Sequence, residues 1–175
     1  MDVDANVDLD VDGRDVRVMA IDPGVTGALA VVSYINGELT VEAVHDLPTW
    51  SEKTSTGKTR RYVDPVALLA MVKAIGPVDR VLCERLTAPP GIASTVAFSL
   101  GATAATISAV MRFAKLTPRL VSPIVWKRAL DVPADKEAAR KHAARLFKTE
   151  APWSRKKDHN RAEAALIGAY GALAA

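Results

Sequence analysis

The chain has 175 residues, 49% of them hydrophobic and 25% charged, with a single cysteine and a formal net charge of +3. That length suits one domain whose core needs no staples, and the lone Cys83 excludes an internal disulfide framework and any cysteine-based zinc spacing. The charge is uneven: residues 1–15 carry −5 and residues 16–175 carry +8, a basic body that suits a polyanionic partner such as nucleic acid.

The first segment, "MDVDANVDLDVDGRD", alternates Asp with Val or Leu, but its charge density predicts a disordered acidic tail over 1–15. It reads as neither a secretory signal nor a transit peptide, and no run of membrane-span length is expected in the chain. Its "DLDVDG" imitates a calcium loop, yet the twelfth position, where such a loop needs glutamate, is Met19.

Three strands are predicted next: "VRVMAID", "GALAVVSYI" and "ELTVEAVHDL". They are joined by "PGVTG" and by Asn36-Gly37, a strong hairpin signal, and so form an antiparallel meander. Residues 49–62, "TWSEKTSTGKTRRY", read as a polar, basic loop. Its "TGKT" imitates a phosphate-binding loop, but the first glycine of that pattern falls at Glu52, so no nucleotide cofactor is expected. "DPVALLAMVKAIG" predicts an amphipathic helix over 64–76, with Asp64 as N-cap and Pro65 in the first turn. A short buried strand, "DRVLCE", follows, and then a long small-residue helix over about 94–115. "RLVSP" is another strand and "PIVWKRALDV" a short helix and turn. Helices are predicted over 134–147 and over "DHNRAEAALIGAYGALA". The order βββ-α-β-α-β-α-α describes one α/β domain over 16–175.

Acidic groups sit at the ends of three of these elements. Asp22 closes the first strand inside the apolar run "AIDPGVTGALAVV", and Glu84 closes "DRVLCE". Asp158 and Glu163 flank the start of the last helix, with His159 between them. If the strands bearing Asp22 and Glu84 are neighbours, the last helix can bring Glu163 to them. Crowded carboxylates repel one another, and a divalent cation removes that penalty. Oxygen ligands without cysteine favour Mg²⁺ or Mn²⁺. Two such ions, about 3.5–4 Å apart, support phosphodiester hydrolysis. Each residue also has a plainer role: Asp22 as a turn cap before Pro-Gly, Glu84 as a partner of Arg80 or Arg85, Glu163 as a helix-start ion pair.

In "IDPGVTGALAVV", "VLCERLTAPPG" followed by "FSLGATAATISAVM", "VSPIVWKRALDVPADKEAARKHAARLF" and "DHNRAEAALIGAYG", the chain resembles the RuvC-type Holliday junction resolvases. The resemblance is strongest to their phage and prophage branch, within the RNase H-like superfamily. It implies a five-stranded mixed sheet, three antiparallel strands and then two parallel ones, flanked by helices. It implies two Mg²⁺ per active site, with Mn²⁺ as substitute, and catalytic metal ligands at Asp22, Glu84, Asp158 and Glu163. The fourth ligand departs from the pattern, because the positions three and four before Glu163 are Asn160 and His159; Asp158 is favoured, with His159 as rival.

The resemblance further implies a homodimer that resolves four-way junctions by paired symmetric nicks, in the cytoplasm of a bacterial or phage-infected cell. A broader flap or branched-DNA nuclease, and a catalytically weak junction-binding protein, stand as alternatives. Gly101, Ala104, Ala105 and Ser108 on the long helix fit a dimer interface or tight packing on the sheet equally well. Phosphate contacts fall to Lys53, Lys58, Arg60, Arg61, Lys127, Arg128, Arg155, Lys156 and Lys157, with the run 155–157 closest to the scissile phosphate. Trp50, Trp126 and Trp153 are candidates for stacking on unpaired bases.

Overall fold

The structure is a computed structural model and describes residues 15–174. The predicted tail lies outside the described residues except for Asp15, whose carboxylate accepts the Asn36 N–H at 3.0 Å. Seven strands and five α-helices follow. The meander comprises β1 (Val16–Asp22), β2 (Ala28–Ile35) and β3 (Glu38–Asp46). A two-stranded ribbon, β4 (Thr49–Lys53) and β5 (Thr59–Val63), leads to α1 (Pro65–Ile75), β6 (Arg80–Glu84) and α2 (Ser94–Phe113). Then come β7 (Arg119–Val121), α3 (Pro123–Ala129), α4 (Lys136–Leu146), 3-10 turns at Ala151–Trp153 and Lys156–Asp158, and α5 (His159–Leu173).

The main sheet has five strands in the order β3-β2-β1-β6-β7, antiparallel from β3 to β1 and parallel from β1 to β7. The turn at Asn36 and Gly37 places both residues at positive φ, 52° and 81°, as a two-residue hairpin loop requires. Alternation along β1 sorts the core into two layers. Val18 and Ala20 face α5 together with Ala28, Ala30, Val32 and Leu82, while Met19 and Ile21 face α1 and α2 with Leu29, Val31, Val81 and Cys83. Helix α1 starts as predicted: the Asp64 carboxylate accepts from the N–H groups of Val66 and Ala67 at 2.9 and 3.0 Å.

Helix α5 lies unusually close to the sheet. It is buried on all sides from Ala164 to Ala172, and Ala20, Ala28 and Ala30 offer it small partners. A Cβ added at Gly168 would fall 2.6 Å from a Val32 methyl, and one at Gly171 would fall 2.6 Å from a Leu82 methyl. Only glycine permits that approach.

Three expectations are corrected. Residues 49–62 are not a loop but the β4–β5 ribbon, paired from Thr49↔Val63 to Lys53↔Thr59. Helix α2 is, by length and composition alone, long and apolar enough to cross a bilayer, because Ala, Val and Ile outweigh its scattered hydroxyls. Here it is a flanking layer of the fold, seated on the sheet by Thr103, Ile107, Val110 and Met111. Its small-residue stripe, Gly101, Ala104, Ala105 and Ser108, points away from the sheet and is exposed, so the sheet-packing reading of that stripe falls.

Candidate active site

Strands β1 and β6 run parallel, and their last registered pair is Ile21↔Cys83. Asp22 and Glu84 therefore stand side by side at the carboxyl ends of neighbouring strands, where open α/β sheets place their sites. The chain leaves Asp22 through a tight turn in which the Gly27 N–H donates to the Gly24 carbonyl at 3.0 Å. A Cβ at Gly27 would fall 2.1 Å from the Asp22 carbonyl oxygen, so glycine is obligatory there. Helix α5 brings Glu163 over this edge from the other side of the sheet, and α3 supplies Trp126 and Lys127.

These groups form a web. The Trp126 indole N–H donates to Glu84 Oε2 at 2.8 Å, and Lys127 Nζ bonds Glu163 Oε1 at 2.7 Å while lying 5.1 Å from the Trp126 ring centroid. Asp22 is different: among the described residues, no side chain hydrogen-bonds its carboxylate. A little of the residue stays open to solvent, yet protein surrounds the carboxyl on almost every side. Burial first, and then the charges of Glu163 and Glu84, push its pKa well above the usual 3.8, and Lys136 and Lys127 only partly offset this. Glu84 is raised as well, by burial, against the opposing bond from Trp126. Burial, and then the charges of Asp22 and Glu84, push the Cys83 thiol up to about 12, which keeps it protonated and inert.

The fourth expected member is turned aside. Arg155 grips Asp158 through its backbone N–H, Nε and NH2 at 3.1, 2.9 and 2.9 Å, and the arginine holds that carboxyl below its usual range. The neighbouring Asp46–Arg161 pair, with both bonds at 2.7 Å, completes a separate cluster. Asp158 is absent from the charges that act on Asp22 and Glu84. The spacing in "RKKDHN" places Asp158 near the helix start but is silent on its direction, which a 3-10 turn over Lys156–Asp158 sets. His159 instead meets Lys136 Nζ at 3.1 Å, and Lys136 also acts on Asp22. Asn160 donates to the carbonyl and hydroxyl oxygens of Thr26, tying the first turn of α5 to the loop after Asp22.

The structure thus brings Asp22, Glu84 and Glu163 within electrostatic reach, with His159 linked to them through Lys136. Lys136 and Trp126 join them as residues whose roles at the site sequence reasoning missed. Trp126 belongs to "PIVWKRAL", so its helix was legible but its bond to Glu84 was not. Trp126 and Trp153 are fully buried, which removes them as stacking surfaces; Trp50 alone is exposed. Of the run 155–157, Arg155 is engaged by Asp158, while Lys156 and Lys157 line an open groove of about 750 Å³ with Lys136 and His159. Arg128 is exposed, and so are Lys53, Lys58, Arg60 and Arg61 on the ribbon.

Among the described residues no three His, Cys, Asp or Glu side chains already enclose a cation-sized space. The donor chemistry nonetheless fits a hard cation: three carboxylates converge, and the most buried has no partner of its own.

The same architecture occurs in solved structures. Thermus thermophilus RuvC superposes with a TM-score of 0.62 at 18% identity, over 89% of this chain and 95% of that one. The fold is that of RuvC. T. thermophilus RuvC in complex with Holliday junction substrate gives a TM-score of 0.59 at 14% identity, over 89% and 94% of the two chains. The yeast mitochondrial Holliday junction resolvase Ydc2 gives 0.60 at 17% identity, over 90% of this chain and 78% of that one. No family model matches the chain, and no curated protein sequence does. The shared RuvC fold therefore rests on three-dimensional agreement along nearly the whole chain, including the five-stranded mixed sheet that the resemblance implied.

Proposed function

We propose that the chain is a metal-dependent endonuclease that resolves four-way DNA junctions. The observation that carries the reading is the unpartnered, largely enclosed Asp22 beside Glu84 and Glu163, at the edge where β1 and β6 end. The RuvC fold and the net +8 of residues 16–175 support it.

Asp22, Glu84 and Glu163 would hold divalent Mg²⁺ or Mn²⁺, with His159 in the place expected of Asp158. Such ions supply an activated water and charge stabilisation at phosphorus. The chain's own residues do the rest. Trp126 fixes the rotamer of Glu84. Lys127 neutralises Glu163, and where a cation takes that carboxylate the ammonium would be free for a phosphate oxygen. Lys136, Lys156 and Lys157 line, with Asp135, Glu137 and His159, an open groove beside the start of α5 and suit phosphate contact. In the hydrolysis, water oxygen bonds to phosphorus as the bond to the 3′ oxygen breaks. The products are a 5′-phosphate and a 3′-hydroxyl that takes up the proton. Two opposed strands require two such sites, and the exposed stripe on α2 is the surface proposed to join two copies.

A second reading, junction binding without cleavage, draws on the Lys127–Glu163 bond, which sets a resident cation against one of the three carboxylates. A Mg²⁺ titration with labelled junction, flap and linear duplex separates the readings. Symmetric nicks in the junction support resolution, cutting of flaps as readily points to a broader nuclease, and tight binding with no cut supports the second reading.

A further inference from the structure

The β4–β5 ribbon stands outside the main sheet. Every residue of β4 is exposed, and β5 is exposed as far as Arg61. A lone hairpin is marginal in water, and this one is anchored at its base and braced along its length. Val63 and Leu47 are buried in the α1/α2 layer, the Leu47 N–H donates to Gly27, and the Asp64 N–H donates to Pro48 at 2.8 Å. Trp50 stacks on Tyr62 across the strands, with centroids 5.2 Å apart and planes 27° from parallel. At the tip the Thr54 N–H donates to the Lys58 carbonyl at 2.8 Å, and Gly57 takes a φ of 77°.

This braced ribbon displays Lys53, Lys58, Arg60 and Arg61. Among the described residues none of the four forms an ion pair. The single acid on the ribbon, Glu52, accepts the Tyr62 hydroxyl at 3.0 Å. Such a surface is stable only because water and counterions screen it, and releasing those counterions favours a polyphosphate partner. Its position narrows the choice. Arg60 and Arg61 line a cleft of about 270 Å³ with Val25, in the turn after Asp22, and with Thr95, Phe98 and Ser99 at the start of α2. The ribbon thus flanks the carboxylate edge on the α1/α2 face, whereas Lys136, Lys156 and Lys157 flank it on the α5 face. The ribbon carries no Asn or Gln to pair with adenine edges.

We infer that the β4–β5 ribbon is a second DNA contact that grips the phosphates of a duplex arm on the α1/α2 face. This rests on the proposed nuclease reading for the role of the edge it flanks, but the contact itself is with backbone phosphate. It contributes affinity, not chemistry.

The test is the full chain with Arg60→Ser and Arg61→Ser together, compared with a control in which exposed Lys73 and Lys148 become Ser. Affinity for a plain duplex and for a junction is followed by anisotropy from about 50 to 200 mM salt, and cleavage is measured at saturating junction with Mg²⁺. At about 0.9 per phosphate, the ribbon variant loses up to about 1.8 from the slope of log K against log salt, and binds about tenfold more weakly at the lower salt. The control keeps the wild-type slope and affinity. An unchanged slope in the ribbon variant, or an equal loss in the control, overturns the inference even if the wild type cuts junctions. A selective loss of slope with no cleavage by any protein upholds the ribbon and defeats the nuclease reading.

Discussion

Two acidic clusters sit at the two sides of the first turn of α5, and they are electrostatic opposites. In one, Asp158 and Asp46 each meet the fork of an arginine, and both carboxyls are held below their usual range. In the other, Asp22, Glu84 and Glu163 share two lysines and an indole N–H, and Asp22 and Glu84 are raised. A cluster that brings its own counter-charge is structural. A cluster that folds under-neutralised marks where charge from outside the chain is wanted.

The contrast breaks most sharply by substitution. Asp22→Asn should lower junction cleavage more than about 100-fold while leaving junction affinity within a few-fold, since metal ligands outweigh the 10–100-fold typical of their supporting residues. Asp158→Asn should leave the cleavage rate within a few-fold, measured on the same substrate. A rate collapse in Asp158→Asn would move that residue back into the site.

Stability measured without metal should respond with opposite signs. Asp22→Asn removes a carboxylate that burial and two like charges disfavour, so the metal-free melting temperature should rise. Asp158→Asn strips Arg155 of its partner, and the melting temperature should fall by about 2–4 °C. Added Mg²⁺ should raise the wild-type melting temperature, by about 2.7 kcal/mol of linkage at 100 times Kd, and should do far less for Asp22→Asn.

A pH series sharpens the same comparison. Asp22 and Glu84 have folded pKa values above their unfolded ones, so the metal-free protein should lose stability as pH rises from the usual carboxylate value through the raised ones. Asp46 and Asp158 are depressed, so their contribution is full above the usual carboxylate value and fades as pH falls through the depressed ones. Melting curves for the two Asn variants should each flatten one limb: Asp22→Asn the upper, Asp158→Asn the lower. The smallest effect is expected from Lys127→Gln. It should lower the metal-free melting temperature slightly, the half-buried ion pair being worth about 1 kcal/mol, and should tighten Mg²⁺ binding, read by calorimetry, because Glu163 no longer has a resident cation.

What the sequence made legible follows from which forces are local. Asn36-Gly37, the Asp64 cap and the apolar run of "VRVMAID" each act within a few residues, and each appears where it was expected. The convergence of Asp22 and Glu84 needed one further condition, that their strands be neighbours, and β1 pairs with β6. The ribbon was illegible because its strands are wet on both faces; cross-strand pairs such as Trp50–Tyr62 hold it, and no apolar alternation betrays it. The direction of Asp158 was illegible for a related reason. Spacing gives proximity, while Arg155, three residues earlier, decides which way the carboxylate points. The exposed stripe on α2 could not be assigned to a face until Ile107, Val110 and Met111 claimed the other one.

The close seat of α5 has a consequence for chemistry far from its glycines. Glu163 rides on the same rigid rod as Gly168, five residues and about 7.5 Å of helix rise away. The missing methyl groups at positions 168 and 171 therefore act as the gauge that sets how far the carboxylate reaches past the sheet. A single methyl inserted at that seat lifts the rod like a shim, and misplacement on the scale of 1 Å can cost about 100-fold in rate. The precision of the site is in this sense machined into two hydrogen atoms on the helix's inner face.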